Sequence, residues 1–332
     1  MRHLPVGSTI ITLSVISFGS PALAAAEPAR AVRVTVLSTM LAGDPGRGIG
    51  EWGFAALLEV DGRRLLLDTG ERPETVLRNA NELGIDLSDV TDLVITHNHG
   101  DHTGGLVTLR RELAKKNARA LSRANVARGI FHRRPGADGS EGNGLLPLKA
   151  EYEALGGQFI EHAGPIQLVP AVWLTGPVPR PYPERNWSGA GRVQTAGGLV
   201  EDTIPEDASV IVDTADGLIV VSGCGHAGVI NTIEYARKVV RETPVLAAVG
   251  GFHLFAADDA TLESTGNKLK AFGLRYLLGA HCTGLEAVYR FRAMLGLTRN
   301  AAVVGAVGSS FTLGIGISAL NLARRRDRLN AA

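Results

Sequence analysis

The segment Leu93-Val-Ile-Thr-His-Asn-His-Gly-Asp-His-Thr-Gly-Gly105 decides the fold, because an apolar run leads directly into a dense group of metal-ligating side chains. Asp92 to Ile95 predicts a short buried β-strand. Residues at positions i and i+2 of an extended loop point to the same side. His97 and His99 are therefore predicted to hold one cation.

Asp101 and His102 follow within three residues and are predicted to face a second position a few ångströms away. Gly100, Gly104 and Gly105 give the loop the backbone freedom that such a tight turn needs. No lysine or arginine interrupts this group, which distinguishes it from an ordinary polar loop. Imidazole and carboxylate are common ligands of zinc, iron and manganese. The segment therefore predicts a metal site.

Three further histidines stand where predicted strands of the second half end. They occur in the short loops Gly223-Cys-Gly-His226, Gly250-Gly-Phe-His253 and Gly279-Ala-His-Cys-Thr-Gly284. Strand-to-loop junctions are where α/β proteins build their sites. His132 and His162 lie in a less informative region and are predicted to be surface residues.

Hydrophobic periodicity and turn residues predict an α/β order of elements. The predicted strands are 32–38, 54–60, 64–67, 92–95, 166–175, 209–213, 218–222, 245–249, 276–278 and 303–315. The predicted helices are 73–83, 103–118, 227–241 and 262–272. A glycine-rich loop, 43–53, is placed so that it can overhang the site. Residues 181–203 are predicted to be a long loop containing Trp187, a candidate lid.

The termini are predicted to lie outside the enzyme domain. Residues 1–26 have a charged start, a short apolar core and a small-residue cleavage region, the layout of a secretory signal peptide. The product is expected to be exported, and periplasmic in a Gram-negative source. Residues 30–315 are assigned to one domain and 316–332 to a tail. Membrane contact through this last segment is considered but not favoured, because glycines interrupt its apolar run.

The composition fits a globular enzyme and argues against nucleic-acid binding. The chain is 45% hydrophobic and 20% charged, and its net charge of +1 gives no basic surface for a phosphate backbone. Cys224 and Cys282 are the only cysteines, so a disulfide scaffold is excluded. A small-molecule substrate is expected.

The pattern His-x-His-x-Asp-His resembles the signature of the metallo-β-lactamase superfamily. Within it, Thr175-Gly-Pro-Val-Pro-Arg180 resembles a segment of the dihydropterin-type ribofuranosylaminobenzene 5'-phosphate synthases. The resemblance implies the metallo-β-lactamase αβ/βα four-layer sandwich. It also implies two divalent metal ions, with zinc favoured and iron or manganese as alternatives.

The resemblance implies a six-ligand scheme for the two metals. His97, His99 and His226 hold the first metal; Asp101, His102 and His281 hold the second. The commonest family pattern has a Gly-Asp pair that provides a bridging carboxylate, where this chain has Gly223 and Cys224. Cys224 is therefore a candidate thiolate ligand, Asp207 is the alternative carboxylate, and a site without a bridging group is the remaining alternative.

The remaining site residues are assigned by the same resemblance. Asp68 is expected beneath the metals, where it orients the histidine loop. Arg180 is a candidate substrate-binding residue. Asp101 and His253 are candidate catalytic residues; His253 has no place in the six-ligand scheme and is for that reason assigned to proton delivery or substrate contact.

The expected activity is hydrolysis of an acyl or phosphoryl ester-type bond by a water that two metals activate. Two alternatives stay open at this point. One is a pterin-pyrophosphate-dependent synthase or transferase of the ribofuranosylaminobenzene phosphate type, whose cytosolic substrates fit poorly with export. The other is a non-catalytic, metal-bound protein that binds a ligand.

Overall fold

A computed structural model describes residues 27–43, 47–187 and 189–319. The predicted signal peptide, 1–26, lies outside the described residues, as does most of the predicted tail, 320–332. Residues 316–318 of that tail form a strand that pairs with its neighbour. Within the described part of the chain, no helix combines the length and the apolar character needed to cross a bilayer.

The first sheet has eight strands and comes mainly from the amino-terminal half. Its order is β17-β16-β1-β2-β3-β4-β5-β6. The strands are β1 Val32–Ser38, β2 Ala55–Val60, β3 Arg63–Leu67, β4 Asp92–Ile95, β5 Arg123–Ala127, β6 Gln158–His162, β16 Ser310–Thr312 and β17 Gly316–Ser318. β3 to β6 run parallel. The loops that follow β3 and β4 therefore leave from the same edge of the sheet.

The second sheet has seven strands in the order β15-β14-β13-β12-β11-β8-β7. They are β7 Ile166–Val169, β8 Val172–Leu174, β11 Ser209–Thr214, β12 Gly217–Ser222, β13 Val245–Gly250, β14 Tyr276–Gly279 and β15 Ala302–Val304. β12, β13 and β14 are parallel, and Ser222, Gly250 and Gly279 stand side by side at their carboxyl ends. This register brings three histidine-bearing loops to one edge.

Helices cover the outer face of each sheet. The first sheet carries α1 Thr75–Glu82, α2 Gly100–Thr103, α3 Leu106–Ala114 and α4 Leu145–Ala154, and the second carries α5 Val229–Val239, α6 Asp259–Ala271 and α7 Leu285–Met294. One apolar core is shared between the sheets, for example by Val34 and Val210. Two more cores join each sheet to its own helices. The architecture is the predicted αβ/βα four-layer sandwich.

The structure corrects several predicted elements. The predicted helix 103–118 is shorter and divided: α2 ends at Thr103 and α3 spans Leu106–Ala114, with the backbone of the 69–71 loop packed against Gly104 and Gly105 between them. A β-carbon on Gly104 would lie 1.7 Å from the carbonyl oxygen of Glu71. The predicted strand 166–175 is two antiparallel strands, since the chain turns at Ala171, which has a φ of 62°.

Some helices and strands were not predicted from the sequence, and a single element was predicted where the structure has two. β5, α4 and β6 fill the region that the sequence left unassigned, and α7 follows the His281 loop. The predicted loop 181–203 contains a hairpin, β9 Arg192–Thr195 and β10 Gly198–Glu201. The single predicted strand 303–315 is wrong: β15 joins the second sheet, whereas β16 pairs with β1 in the first.

Candidate metal centre

His97, His99 and His226 form one cluster at the edge where the two sheets meet. Their ring centroids lie 4.5 to 4.9 Å apart. One potential ligand atom from each lies within 4.8 Å of the others. The Nε2 atoms of His97 and His226 are buried and have no hydrogen-bond partner among the residues that the structure describes. Buried polar atoms are normally satisfied, so these nitrogens fit a cation that the cluster would hold.

In His97 and His226, the second ring nitrogen, Nδ1, contacts an oxygen of a neighbouring residue. Nδ1 of His97 lies 3.0 Å from the hydroxyl of Thr96, and Nδ1 of His226 lies 2.5 Å from the carbonyl oxygen of Asn186. Such contacts fix the ring orientation of a metal-ligating histidine. Thr96 and Asn186 were not identified from the sequence. Asn186 lies in the predicted lid segment, 90 residues from Thr96, so no local pattern links them.

Asp101, His102 and His281 form the second cluster, directly beside the first. Oδ2 of Asp101 lies 3.3 Å from Nε2 of His281 and 3.8 Å from Nε2 of His102. The His97 and His102 ring centroids are only 4.2 Å apart, so the clusters adjoin. One potential ligand atom from each of the three side chains lies within 4.8 Å of the others. A carboxylate and two imidazoles form a donor set suited to zinc, iron or manganese.

Asp68 lies beneath the second cluster and touches His102. Its Oδ2 lies 2.8 Å from Nδ1 of His102 and accepts a hydrogen bond of 2.8 Å from the Thr96 hydroxyl, while Oδ1 accepts from the Thr96 amide. Asp68 has a φ of 55°, a costly conformation for a residue other than glycine. These contacts hold Nε2 of His102 toward Asp101. The effect of Asp68 on metal binding stays a prediction.

The structure separates the two candidates for the additional ligand. Sγ of Cys224 lies 3.2 Å from Nε2 of His102, and Cys224 groups with His97 and His102. Asp207 belongs to none of the ligand groups found among the described residues. Its Oδ2 accepts a hydrogen bond from the Ala227 amide, which supports the turn that carries His226. The geometry favours Cys224 as the ligand.

His253 and Arg180 lie close to the clusters without joining them. The His253 ring packs against that of His226, at 4.5 Å between centroids. Arg180 donates hydrogen bonds to the carbonyl oxygens of His226 and Ile204, and its guanidinium stacks over Trp187. Arg180 thus positions the His226 loop and the lid segment. Substrate contact by Arg180 and proton delivery by His253 stay predictions.

Two exposed aromatic side chains border the second cluster. The Trp52 ring lies 5.0 Å from that of His281 and 5.4 Å from that of Phe255. Both aromatic residues remain accessible to solvent. The glycine-rich loop predicted to overhang the site therefore reaches it through Trp52, and Phe255 is a neighbour that the sequence did not single out.

Burial sets the protonation of the first cluster. Desolvation lowers the pKa of His97 and His226 well below the usual histidine value, and that of His99 to about 4. Neutral imidazoles keep a lone pair free for a cation. Burial alone would raise the pKa of Asp101, but His102 and His281 outweigh it and hold the pKa below its usual range. Asp101 is therefore an anion at neutral pH.

His281 differs from the histidines of the first cluster in the direction of its pKa shift. Burial lowers its pKa, but Cys282 and Asp101 outweigh burial and raise it to about 10. A cation at the second cluster would compete with this proton for the His281 ring.

Comparison with known proteins gives consistent family assignments. Residues 53–237 match the family model "Metallo-beta-lactamase superfamily". The chain is 30% identical over 247 residues to 7,8-dihydropterin-6-methyl-4-(beta-D-ribofuranosyl)-aminobenzene-5'-phosphate synthase of Methanocaldococcus jannaschii, covering 72% of this chain and 83% of that protein.

Solved structures share the fold. Tm1679, described as a metal-dependent hydrolase of the beta-lactamase superfamily, superposes with a TM-score of 0.66 at 25% identity, over 84% of this chain and 98% of that one. Zn(2+)-bound PqqB from Methylobacterium extorquens superposes with a TM-score of 0.51 at 14% identity, over 84% and 99% of the two chains. At that identity, the second match demonstrates the fold alone.

Proposed function

Because the chain belongs to the metallo-beta-lactamase superfamily, we propose that it is a metal-dependent hydrolase acting on an acyl or phosphoryl ester-type bond of a small molecule. The observation that carries this proposal is the pair of adjoining clusters, in which the Nε2 atoms of His97 and His226 are buried without a hydrogen-bond partner in the described part of the chain. This arrangement suits hydrolysis better than a structural role, because the two clusters adjoin and the exposed Trp52 lies against His281 at 5.0 Å between ring centroids.

The two clusters would hold two divalent cations, most suitably zinc. His97, His99 and His226 would hold the first, and Asp101, His102 and His281 the second, with Cys224 beside His102. Thiolate donors favour zinc over manganese or magnesium. When bound, such cations lower the pKa of water to about 7 and stabilise negative charge that develops on the substrate.

The protein's own groups would orient the reactants and move protons. Asp101, ionised and within 3.3 Å of His281, would accept a proton from the attacking water. His253, beside the first cluster, would contact the substrate by donating a hydrogen bond from its ring to the leaving group. Trp52 and Phe255 would cover the substrate and exclude bulk water, which strengthens the electrostatic interactions within the site.

A synthase activity is the second candidate, and one observation favours it. The Methanocaldococcus jannaschii relative, which matches over 72% of the chain, is named as a synthase and not as a hydrolase. A metal-bound protein that binds a ligand without catalysis is the third candidate.

The test is a panel of chromogenic esters, phosphodiesters and nitrocefin, given to protein reconstituted with Zn(II), Mn(II) or Fe(II). We expect turnover of at least one substrate class, lost on chelation and restored by metal. The chelated protein is the matched control. Silence across every metal would overturn the hydrolase proposal. Release of pyrophosphate from a pterin pyrophosphate only in the presence of an aminobenzoate would support the synthase.

We also propose that residues 1–26 direct export, on the strength of their three-part layout. Fusion of residues 1–30 to a reporter that is active only in the periplasm should give signal. A fusion that lacks residues 4–20, the apolar core, is the control and should give none. An uncleaved cytoplasmic product from the full fusion would contradict export and would strengthen the synthase alternative, whose substrates are cytosolic.

A further inference from the structure

A further group of metal-ligating side chains lies beside the two clusters. It comprises Cys224, His253 and Cys282, with one ligand atom from each lying within 4.8 Å of the others. The two sulfurs are 3.2 Å apart, and both cysteines are buried and free. Cys282 and His253 belong to neither of the other clusters. Substitution of either residue therefore tests this group separately.

The parallel strands of the second sheet place these residues together. Cys224 follows β12, His253 follows β13 and Cys282 follows β14, and the ends of the three strands are in register. The segment after β13 wraps around Cys282. The amide of His253 donates to Sγ of Cys282 at 3.2 Å, and the amides of Leu254 and Phe255 donate to its carbonyl oxygen.

His253 has a strained backbone conformation, and one of its ring nitrogens has no hydrogen-bond partner among the described residues. Its φ is 47°, in the left-handed region that residues other than glycine rarely adopt. Its Nδ1 is buried and has no hydrogen-bond partner among the described residues. Strain of this kind concentrates at functional sites. An unsatisfied imidazole nitrogen next to two thiols is a feature that a packing role leaves unexplained.

We propose that Cys224, His253 and Cys282 form a third cation position, one that binds a thiophilic ion such as Zn(II). Two thiolates and an imidazole are a soft donor set. The amide that points at Cys282 stabilises a thiolate. Two sulfurs bound to one tetrahedral zinc at about 2.3 Å would lie ~3.8 Å apart, so binding would open the pair by roughly half an ångström.

This position adjoins the second cluster through Cys224, whose sulfur also lies 3.2 Å from Nε2 of His102. A disulfide is the competing use of the same pair of cysteines. A disulfide would account for the proximity of the two sulfurs. It would not account for the unpartnered Nδ1 of His253 or for the hydrogen bond that the His253 amide donates to Sγ of Cys282. The geometry therefore favours a bound ion.

The test is a Co(II) titration of the reduced, metal-free full chain, followed by near-ultraviolet absorption. We expect three equivalents of cobalt and a strong sulfur-to-cobalt charge-transfer band. C282S should bind two equivalents and lose at least about half of the band, because one of two thiolate donors is gone. H253Q should lose one equivalent but keep the thiols. S222A is the control, since Ser222 is a buried neighbour of Cys224 that belongs to none of the ligand groups.

Two results would overturn the proposal. One is unchanged stoichiometry and absorption in both C282S and H253Q; the second variant decides the matter should C282S fail to fold. The other is a Cys224–Cys282 disulfide in protein isolated without reductant, found by mass mapping. Rapid alkylation of Cys282 only after chelation would support the ion. None of these measurements uses hydrolysis, so they stand or fall separately from the proposed activity.

Discussion

Replacing His97 with alanine is expected to lower hydrolysis by on the order of 10²- to 10³-fold, the scale of losing one group that stabilises charge in the transition state. His97 supplies a buried Nε2 to the first cluster, and its ring lies 4.7 Å from His226 and 4.2 Å from His102. Because it adjoins both clusters, its loss should also remove about one equivalent of bound metal. The measurements are turnover on the substrate found by the panel and elemental analysis.

The matched control for H97A is H162A. His162 is half-buried and bonds Asn125, away from the ligand groups. H162A should retain full metal content and turnover within about twofold, as a substitution away from the site usually does. Equal metal content and activity in H97A and wild-type protein would contradict the assignment of the first cluster. Thermal unfolding of both metal-free variants separates loss of a ligand from loss of the fold.

Replacing Gly223 with alanine is expected to weaken metal binding by about 10- to 100-fold, the cost of disturbing groups that orient metal ligands. A β-carbon there would lie 2.2 Å from the Thr96 hydroxyl, 2.5 Å from Oδ2 of Asp68 and 3.1 Å from Nδ1 of His102. The added methyl group would therefore clash with both side chains that hold His102 in place and with the His102 ring. Overpacking of this kind also destabilises a core by about 1–3 kcal/mol.

Competition with a chromophoric chelator measures the affinity of G223A, and denaturant unfolding measures its stability. G164A is the control, because a β-carbon on Gly164 meets no atom within 4 Å. It should bind metal as the wild type does. An affinity of G223A within a factor of two of the control would mean that the Asp68, Thr96 and His102 network does not govern the second cluster.

The sequence by itself determined the elements whose signals are local. An apolar run before the histidine loop predicts β4, and the structure has that strand at Asp92–Ile95. The alternation in residues 32–38 likewise predicts β1 with its observed bounds. Local signals failed for α4, which buries only Leu145 and Tyr152 and so lacks a helical hydrophobic stripe. The predicted strand 166–175 was wrong at Ala171, where the chain turns directly after Pro170 and divides the run into two antiparallel strands.

The histidine loop also showed that a metal site was to be expected, because its ligand types and spacing are contained in a few consecutive residues. The sequence did not determine which distant residues complete that site. Nothing near Asn186 shows that its carbonyl would anchor His226 at 2.5 Å, and nothing near Asp207 shows that its carboxylate would support a turn. Both depend on how a loop folds back over the sheet edge.

Only the tertiary structure decided that Cys224, His253 and Cys282 share one position. Cys224 and His253 are 29 positions apart in the sequence, and so are His253 and Cys282. Their proximity follows from the parallel register of β12, β13 and β14, in which Ser222, Gly250 and Gly279 stand side by side. Strand register is set by packing of whole sheets against helices and against each other. That packing is a non-local property, which is why the spacing of the residues in sequence does not reveal it.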